Sequence, residues 1–333
     1  MSDFRLAGSP LGSSAASSAL PVGSGLVQQA GSSRTVERLA HYGVFHLPVR
    51  LELRPPPHPL AYEVTTRWEE RRYGEVARSV ISKHLTLTGT YHGARLLLSW
   101  TTAPPTLRKP DLLPLEEIML LLAGIYRHLV IETSPAGQRL AVANHAEIIA
   151  TWADIKQELL ARYGEADALT ASLRAAVEAQ VQDPARLLDS LHHDYSHSLL
   201  VANLYQQRFE SGFCYTQARA FPHFLADTAV CFQEQLTLGE PTVPGRATLH
   251  LRGRLDEDRT DRAAVARQVA ALLALSPNPA PVGPPDPATL TFAYHATYDL
   301  DLATGWPVSV AATVTCQSPA GYTKEYDLTV QQL

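Results

Sequence analysis

Two regions of the chain alternate apolar and polar residues with a period of two, and the region between them repeats with the period of a helix. In 61–73 the set Tyr62, Val64, Thr66 and Trp68 alternates with its neighbours. Ile81, Leu85 and Leu87, then Leu96, Leu98 and Trp100, continue the pattern around the turn Gly89-Thr90-Tyr91-His92-Gly93. Successive side chains of a strand point to opposite faces, so this pattern predicts antiparallel hairpins with one face buried. The most apolar window, Leu112 to Ile125, predicts a helix at 111–127 buried in the core, although it carries Glu116 and Glu117. A short hairpin follows, Leu129 to Thr133 with Leu140 to Ala143, turned through Ser134-Pro135-Ala136-Gly137.

The period then lengthens. Asn144 with Glu147 predicts a capping box, and Ile148, Trp152, Ile155, Leu159 and Tyr163 make one apolar face that Gly164 ends. Leu169, Leu173 and Val177 predict a second helix, and Asp183 before Pro184 marks the start of a third. Strands return where Leu249, Leu251, Gly253 and Leu255 alternate with His250, Arg252 and Arg254. The loop Asp256-Glu257-Asp258 leads to a helix capped by Thr260, with Val265, Val269, Leu272 and Leu273 inward. A proline-rich linker spans 277–287, and three alternating strands close the chain at Leu290 to Leu300, Val308 to Cys316 and Tyr322 to Val330. They predict a meander with one face in water, its last strand at an edge open to a partner strand.

The order of elements predicts an α+β fold in which antiparallel sheets from both chain ends pack with a central helical segment. It divides the chain into an arm at 1–35, a β-rich part at 36–143 with one buried helix, a helical segment at 144–205 and an antiparallel α+β part at 206–333. The arm is built largely from Ser, Gly and Ala with Asp3, Arg5 and Arg34 as its only charged side chains, too poor in large apolar residues to offset its chain entropy, so disorder is expected. Leu20-Pro21-Val22 is broken by Gly23 and Gly25, which disfavours an export signal. No window holds the roughly 18 apolar residues of a membrane helix.

Charge and cysteine content narrow the partners. With 28 Lys+Arg against 33 Asp+Glu the net charge is -5, which lacks the basic footprint of a general nucleic-acid binder. Cys214, Cys231 and Cys316 are odd in number and scattered, so neither a disulfide framework nor a CxxC zinc site is expected, and a cytoplasmic location is the simplest.

The run from Asp189 to His197 is the sharpest chemical candidate. On a continuous third helix Asp189, His193 and His197 share about one quadrant, with Asp194 at its border, and a carboxylate and an imidazole one turn apart can hold one Zn²⁺ or Fe²⁺. Eight residues of helix rise about 12 Å, so Asp189 and His197 do not reach the same ion and only an adjacent pair is usable. His223 and His250 are the nearest imidazoles to complete a shell. An ordinary polar helix face explains the same residues, no HExxH is present, and no metal, cofactor or catalytic residue is expected. Cys214 near His223 is read as an ordinary thiol rather than a nucleophile, because nothing local lowers its pKa. The charge run Glu69-Glu70-Arg71-Arg72 balances itself and predicts a solvated strand end. Trp68, Trp100, Phe292, Tyr294, Tyr298, Tyr322 and Tyr326 fall on inward registers, where they fill a core or line a cavity for an apolar ligand.

The block Leu129 to Tyr163, with its helix start Asn144-His145-Ala146-Glu147-Ile148 and Trp152, resembles a pattern in uncharacterised bacterial proteins. In these a helix of this kind precedes further helices and a C-terminal antiparallel sheet, and the closing block Tyr294 to Leu333 is also similar. Some such proteins are encoded near phage-tail-like contractile injection systems. The resemblance implies an accessory or structural role and transfers no functional residue. The leading expectation is therefore a non-catalytic protein that binds another protein, in a contractile or type VI-like secretion apparatus. The alternatives are a carrier of an apolar ligand in a half-barrel cavity and a metal-dependent hydrolase using the His-rich helix.

Overall fold

A computed structural model describes residues 35–38, 48–108, 112–164, 167–225, 228–240, 243–276 and 285–333. The arm expected at 1–35 lies outside the described residues except for Thr35, which opens β1 (Thr35–Arg38), and most of the proline-rich linker lies outside them too. After β2 (Val49–Arg50) comes the meander β3 (Leu60–Arg72), β4 (Glu75–His92) and β5 (Arg95–Thr102). Of the positions the alternation predicts, Tyr62, Val64, Leu85, Leu87, Leu96, Leu98 and Trp100 are buried and Thr66, Trp68 and Ile81 are half-buried. The turn is tighter than expected, because β4 runs through Gly89 and only Gly93 and Ala94 reverse the chain, Gly93 at a φ of +61° that glycine adopts without strain. β6 (Thr106–Leu107) pairs with β4.

α1 (Pro114–Ala123) is amphipathic rather than buried: Ile118 and Leu122 face the core while Met119 is 54% exposed. β7 (His128–Thr133) and β8 (Arg139–Val142) form the short hairpin, and α2 (His145–Tyr163) buries Ile148, Trp152, Ile155 and Leu159 as expected. The capping box does not form. Asn144 instead accepts the Val130 N–H at 2.8 Å and donates to the His128 carbonyl at 3.1 Å, so its amide continues the β7 ladder. In α3 (Ala168–Val181) the inward face is turned away from Leu169, which is exposed, and Thr170 and Val181 are buried in its place.

The third helix is two helices, α4 (Pro184–His193) and α5 (Tyr195–Leu200), broken at Asp194. β9 (Arg208–Phe209) pairs with β2, and then β10 (Phe213–Leu225), β11 (Thr228–Leu238) and β12 (Arg246–Leu255) form hairpins. The first of these hairpins is absent from the sequence reading. α6 (Arg262–Ala274) is capped by Asp261, whose carboxylate accepts the Ala264 N–H, while Thr260 bonds the Cys231 backbone. β13 (Thr291–Asp301), β14 (Pro307–Ser318) and β15 (Tyr322–Gln332) complete the α+β fold.

One antiparallel sheet takes in nearly all the strands, in the order β1-β10-β11-β12-β13-β14-β15-β3-β4-β5-β7-β8. The expected edge position of the last strand is therefore corrected: β15 is central, paired to β14 on one side and to β3 on the other, with Tyr326 opposite Trp68 and Val330 opposite Val64. Sequence alternation reports which face of a strand is buried but carries no information about how many neighbours it has.

The sheet is strongly curled. From β10 to β3 there are six strand spacings, roughly 29 Å on a flat sheet. The rings of Trp68 on β3 and Phe224 on β10 nevertheless lie 6.2 Å apart. The inner face thus wraps a core that Tyr195 of α5 enters, 5.1 Å from Tyr326 and 5.2 Å from Phe221. The aromatics of the inner face meet ring to ring.

Two substitutions test this architecture. Trp152→Ala removes a buried indole and leaves Glu178, its hydrogen-bond acceptor at 2.8 Å, without that donor. It is expected to cost about 3–5 kcal/mol in urea denaturation. Thr329→Pro lies in a doubly paired strand and is expected to lose about 3 kcal/mol or more, enough to abolish folding of a marginal domain.

Candidate functional site

The chemistry-bearing residues converge where the sheet fails to close. β8 ends the sheet on one side, on the other β1 covers β10 only at Phe213 to Thr216, and α4 packs against both β8 and β10. Arg139 of β8 donates to the Leu191 carbonyl of α4 at 2.7 Å, and Arg219 of β10 reaches the Ser198 carbonyl of α5 at 3.5 Å.

Asp194 sits at the break in extended conformation and serves both helices as a cap. Its carboxylate accepts the N–H groups of Ser196 and His197 at 2.8 and 3.2 Å and the Ser196 hydroxyl. The His197 Nδ1 lies 2.8 Å from its other oxygen, and Lys83, reaching in from β4, is 3.7 Å away and donates to the Ser196 Oγ at 2.9 Å. Burial opposes ionisation of Asp194, but Lys83, His197 and the hydroxyl more than compensate and hold its carboxyl well below the usual range. Burial pushes the His197 imidazole below its ordinary value, against the pull of Asp194 and with the help of Lys83 and Arg139. Its ring stands edge-on to Trp100 at 5.1 Å.

A second charge is buried beside this cluster. Glu234 is fully buried and is bound by Arg219, by Gln217 at 2.6 Å and by the Tyr294 hydroxyl at 2.9 Å. Gln217, Glu234, Gly253 and Tyr294 are successive partners across four strands. Gly253 is required there, because a Cβ would lie 2.5 Å from the Tyr294 ring. On the opposite face Glu69 is not solvated as expected: it is 4% exposed under Arg67, Arg71 and Arg78, whose hydrogen bonds bring its pKa down to about 2.

The expected quadrant of Asp189, His193 and His197 does not exist, because the break at Asp194 ends its helix. Asp189 is exposed, His197 is buried, and the side chain of His193 lies outside the description. Sequence reasoning missed Lys83 and Arg139, whose strands carry no signal of what they face. His223 and His250 are exposed on β10 and β12, and among the described residues no three His, Cys, Asp or Glu side chains are placed to share an ion. Cys214 and His223 are nine residues apart on one extended strand, roughly 30 Å. None of the three cysteines forms a disulfide, and burial pushes the Cys316 thiol up to about 12.

The Lys83–Ser196 contact does not make an activated nucleophile. A base must take the hydroxyl proton, and here that proton already goes to Asp194, which also faces the Lys83 ammonium. The best-formed concavities among the described residues open elsewhere: one of about 480 Å³ at Pro48, Arg50, Gln206 and Arg208, and a groove of about 300 Å³ on the outer face of β4, β3, β15 and β14. What the cluster can do is hold α4 and α5 in the gap.

Its pH dependence has a defined sign. The folded chain binds a proton at His197 less readily than the unfolded chain does, so stability is expected to be complete above about pH 6.5. It should fall with acidification by at most about 1.4 kcal/mol per pH unit. Urea titrations between pH 8 and pH 5 check this, and His197→Gln should remove that part of the slope.

No protein-family model matches this chain, and no curated protein aligns with it significantly.

Proposed function

We propose that the chain is a non-catalytic component that binds another protein through the outer face of its curled sheet. The accessory or structural role implied by the resemblance to proteins encoded near contractile injection systems fits this reading. The observation that supports it most is the division of labour between the two faces. The inward charges Lys83, Asp194, Arg219 and Glu234 are engaged with one another or with neighbouring polar groups, while alternate residues of β13 to β15 and β3 leave an outer face on which Thr297 and Thr329 are exposed. The outer groove runs over Thr65, Val80, Ala311, Thr313 and Thr329, small side chains that permit close approach of a partner backbone, with Arg67 and Asp327 also in its lining. Ordinary antiparallel sheets leave one face in water. A grooved face of mostly small residues, spanning the junction between strands from the two parts of the chain, gives a partner a rigid, continuous platform.

A photo-crosslinking residue placed at Thr329 in the native cell tests the proposal. Irradiation is expected to give one discrete protein adduct, lost when Ala311→Arg fills the groove. Absence of any adduct from Thr329, Thr297 and Thr65, with an adduct formed from exposed Leu169 on α3, would move the interface to the helical side.

A further inference from the structure

We propose that the outer face of β12, with its neighbours β11 and β13, binds an extended acidic segment of the partner protein, its carboxylates at alternate positions seated on Arg252 and Arg254. The inference rests on the protein-binding reading above and gives its partner a chemistry.

His250, Arg252 and Arg254 occupy successive outward positions of β12, and all three are exposed. The registers set Gln235 and His295 on either side of Arg252, Gln233 beside Arg254, and Thr237 and Thr297 on either side of His250. Every side chain of this grid is a hydrogen-bond donor in at least one state, and none is acidic. Elsewhere the arginines of this face sit against carboxylates. Arg67, Arg71 and Arg78 hold Glu69, and Arg246 lies 3.1 Å from Asp299. Arg252 and Arg254 have no ion-pair or hydrogen-bond partner among the described residues. The acids of the loop after β12 do not supply one: Asp256 is buried, Glu257 pairs with Arg262 at 2.9 Å, and Asp258 makes no ion pair with Arg252 or Arg254.

Geometry selects the ligand. Two residues of strand advance about 6.8 Å, so Arg252 and Arg254 repeat at the interval at which an extended peptide repeats side chains on one face. A guanidinium binds a carboxylate through two parallel hydrogen bonds, which adds orientation to attraction. Single-stranded nucleic acid also presents anions to an extended surface, but its binders add aromatic platforms for the bases, which this grid lacks, and the chain as a whole carries a charge of -5.

The test uses a labelled sixteen-residue peptide of alternating Glu and Thr, a second peptide with the same residues in two blocks, and a sixteen-nucleotide oligo-dT, each titrated into the full chain by fluorescence anisotropy. The alternating peptide is expected to bind best and to weaken steeply with added salt. The double variant Arg252→Glu with Arg254→Glu should weaken it about tenfold or more, while Arg162→Glu on α2, whose partner is Glu158, leaves it unchanged. Arg252→Gln with Arg254→Gln serves if the reversal disturbs folding. Equal binding by parent and double variant, equal binding of the blocked peptide, or tighter binding of oligo-dT would overturn the proposal. A crosslinked adduct at Thr329 that survives in the double variant would overturn it alone and leave the protein-binding reading standing.

Discussion

The fold depends on joining β8 to the uncovered part of β10, two stretches of one curled sheet that do not pair with each other. A barrel closed by strand pairing removes its edges, whereas here β8 and β10 are bridged by a pair of short helices and by side chains. A continuous helix from Pro184 to Leu200 would run about 25 Å in a straight line. It would keep Leu187, Leu191, Tyr195 and Leu199 on one face along a single axis with Leu200 turned away from them, whereas all five are buried in the folded chain. The extended backbone at Asp194 makes the bend, and its carboxylate satisfies the N–H groups that the second helix exposes. One side chain thus caps the second helix at the bend and faces Lys83 of β4.

Buried ions make that closure specific rather than merely stable. Isolating Glu234 from water is costly, and a buried pair with Arg219 recovers the loss only when the remaining oxygen positions are also bonded. Gln217 and Tyr294 supply those bonds from β10 and β13. A slip of one residue in any of the three intervening pairings would point one of these groups to the opposite face. The network therefore favours a single register over neighbours that bury similar apolar area.

The sequence alternation showed the β3–β5 meander and the three closing strands almost residue for residue, because their inward positions are mostly apolar, with Lys83 and Lys324 as exceptions. It concealed β10 and β11 for the converse reason: Gln217, Arg219 and Glu234 stand at inward positions and break the pattern that marks a strand. The break in the third helix was hidden in the same way, since Asp194 reads as one more polar residue of a polar face until Lys83 is placed opposite it. Sheet order was legible only as a class. The pairing of β15 with β3 joins residues more than two hundred positions apart, and no local pattern encodes it.

The period that builds the core also fixes what the outside can bind. On β12, Leu249 and Leu251 face inward and Gly253 yields its space to the Tyr294 ring, whose hydroxyl reaches across to Glu234. The residues between them, His250, Arg252 and Arg254, are thereby held outward on a strand paired along both sides. Their spacing is set by the rigid backbone, not by flexible loops, and the ordering entropy of a partner is opposed by contacts that need little rearrangement of this chain. A polar surface on a loop would have to be organised by its ligand, whereas this one is organised by the core beneath it.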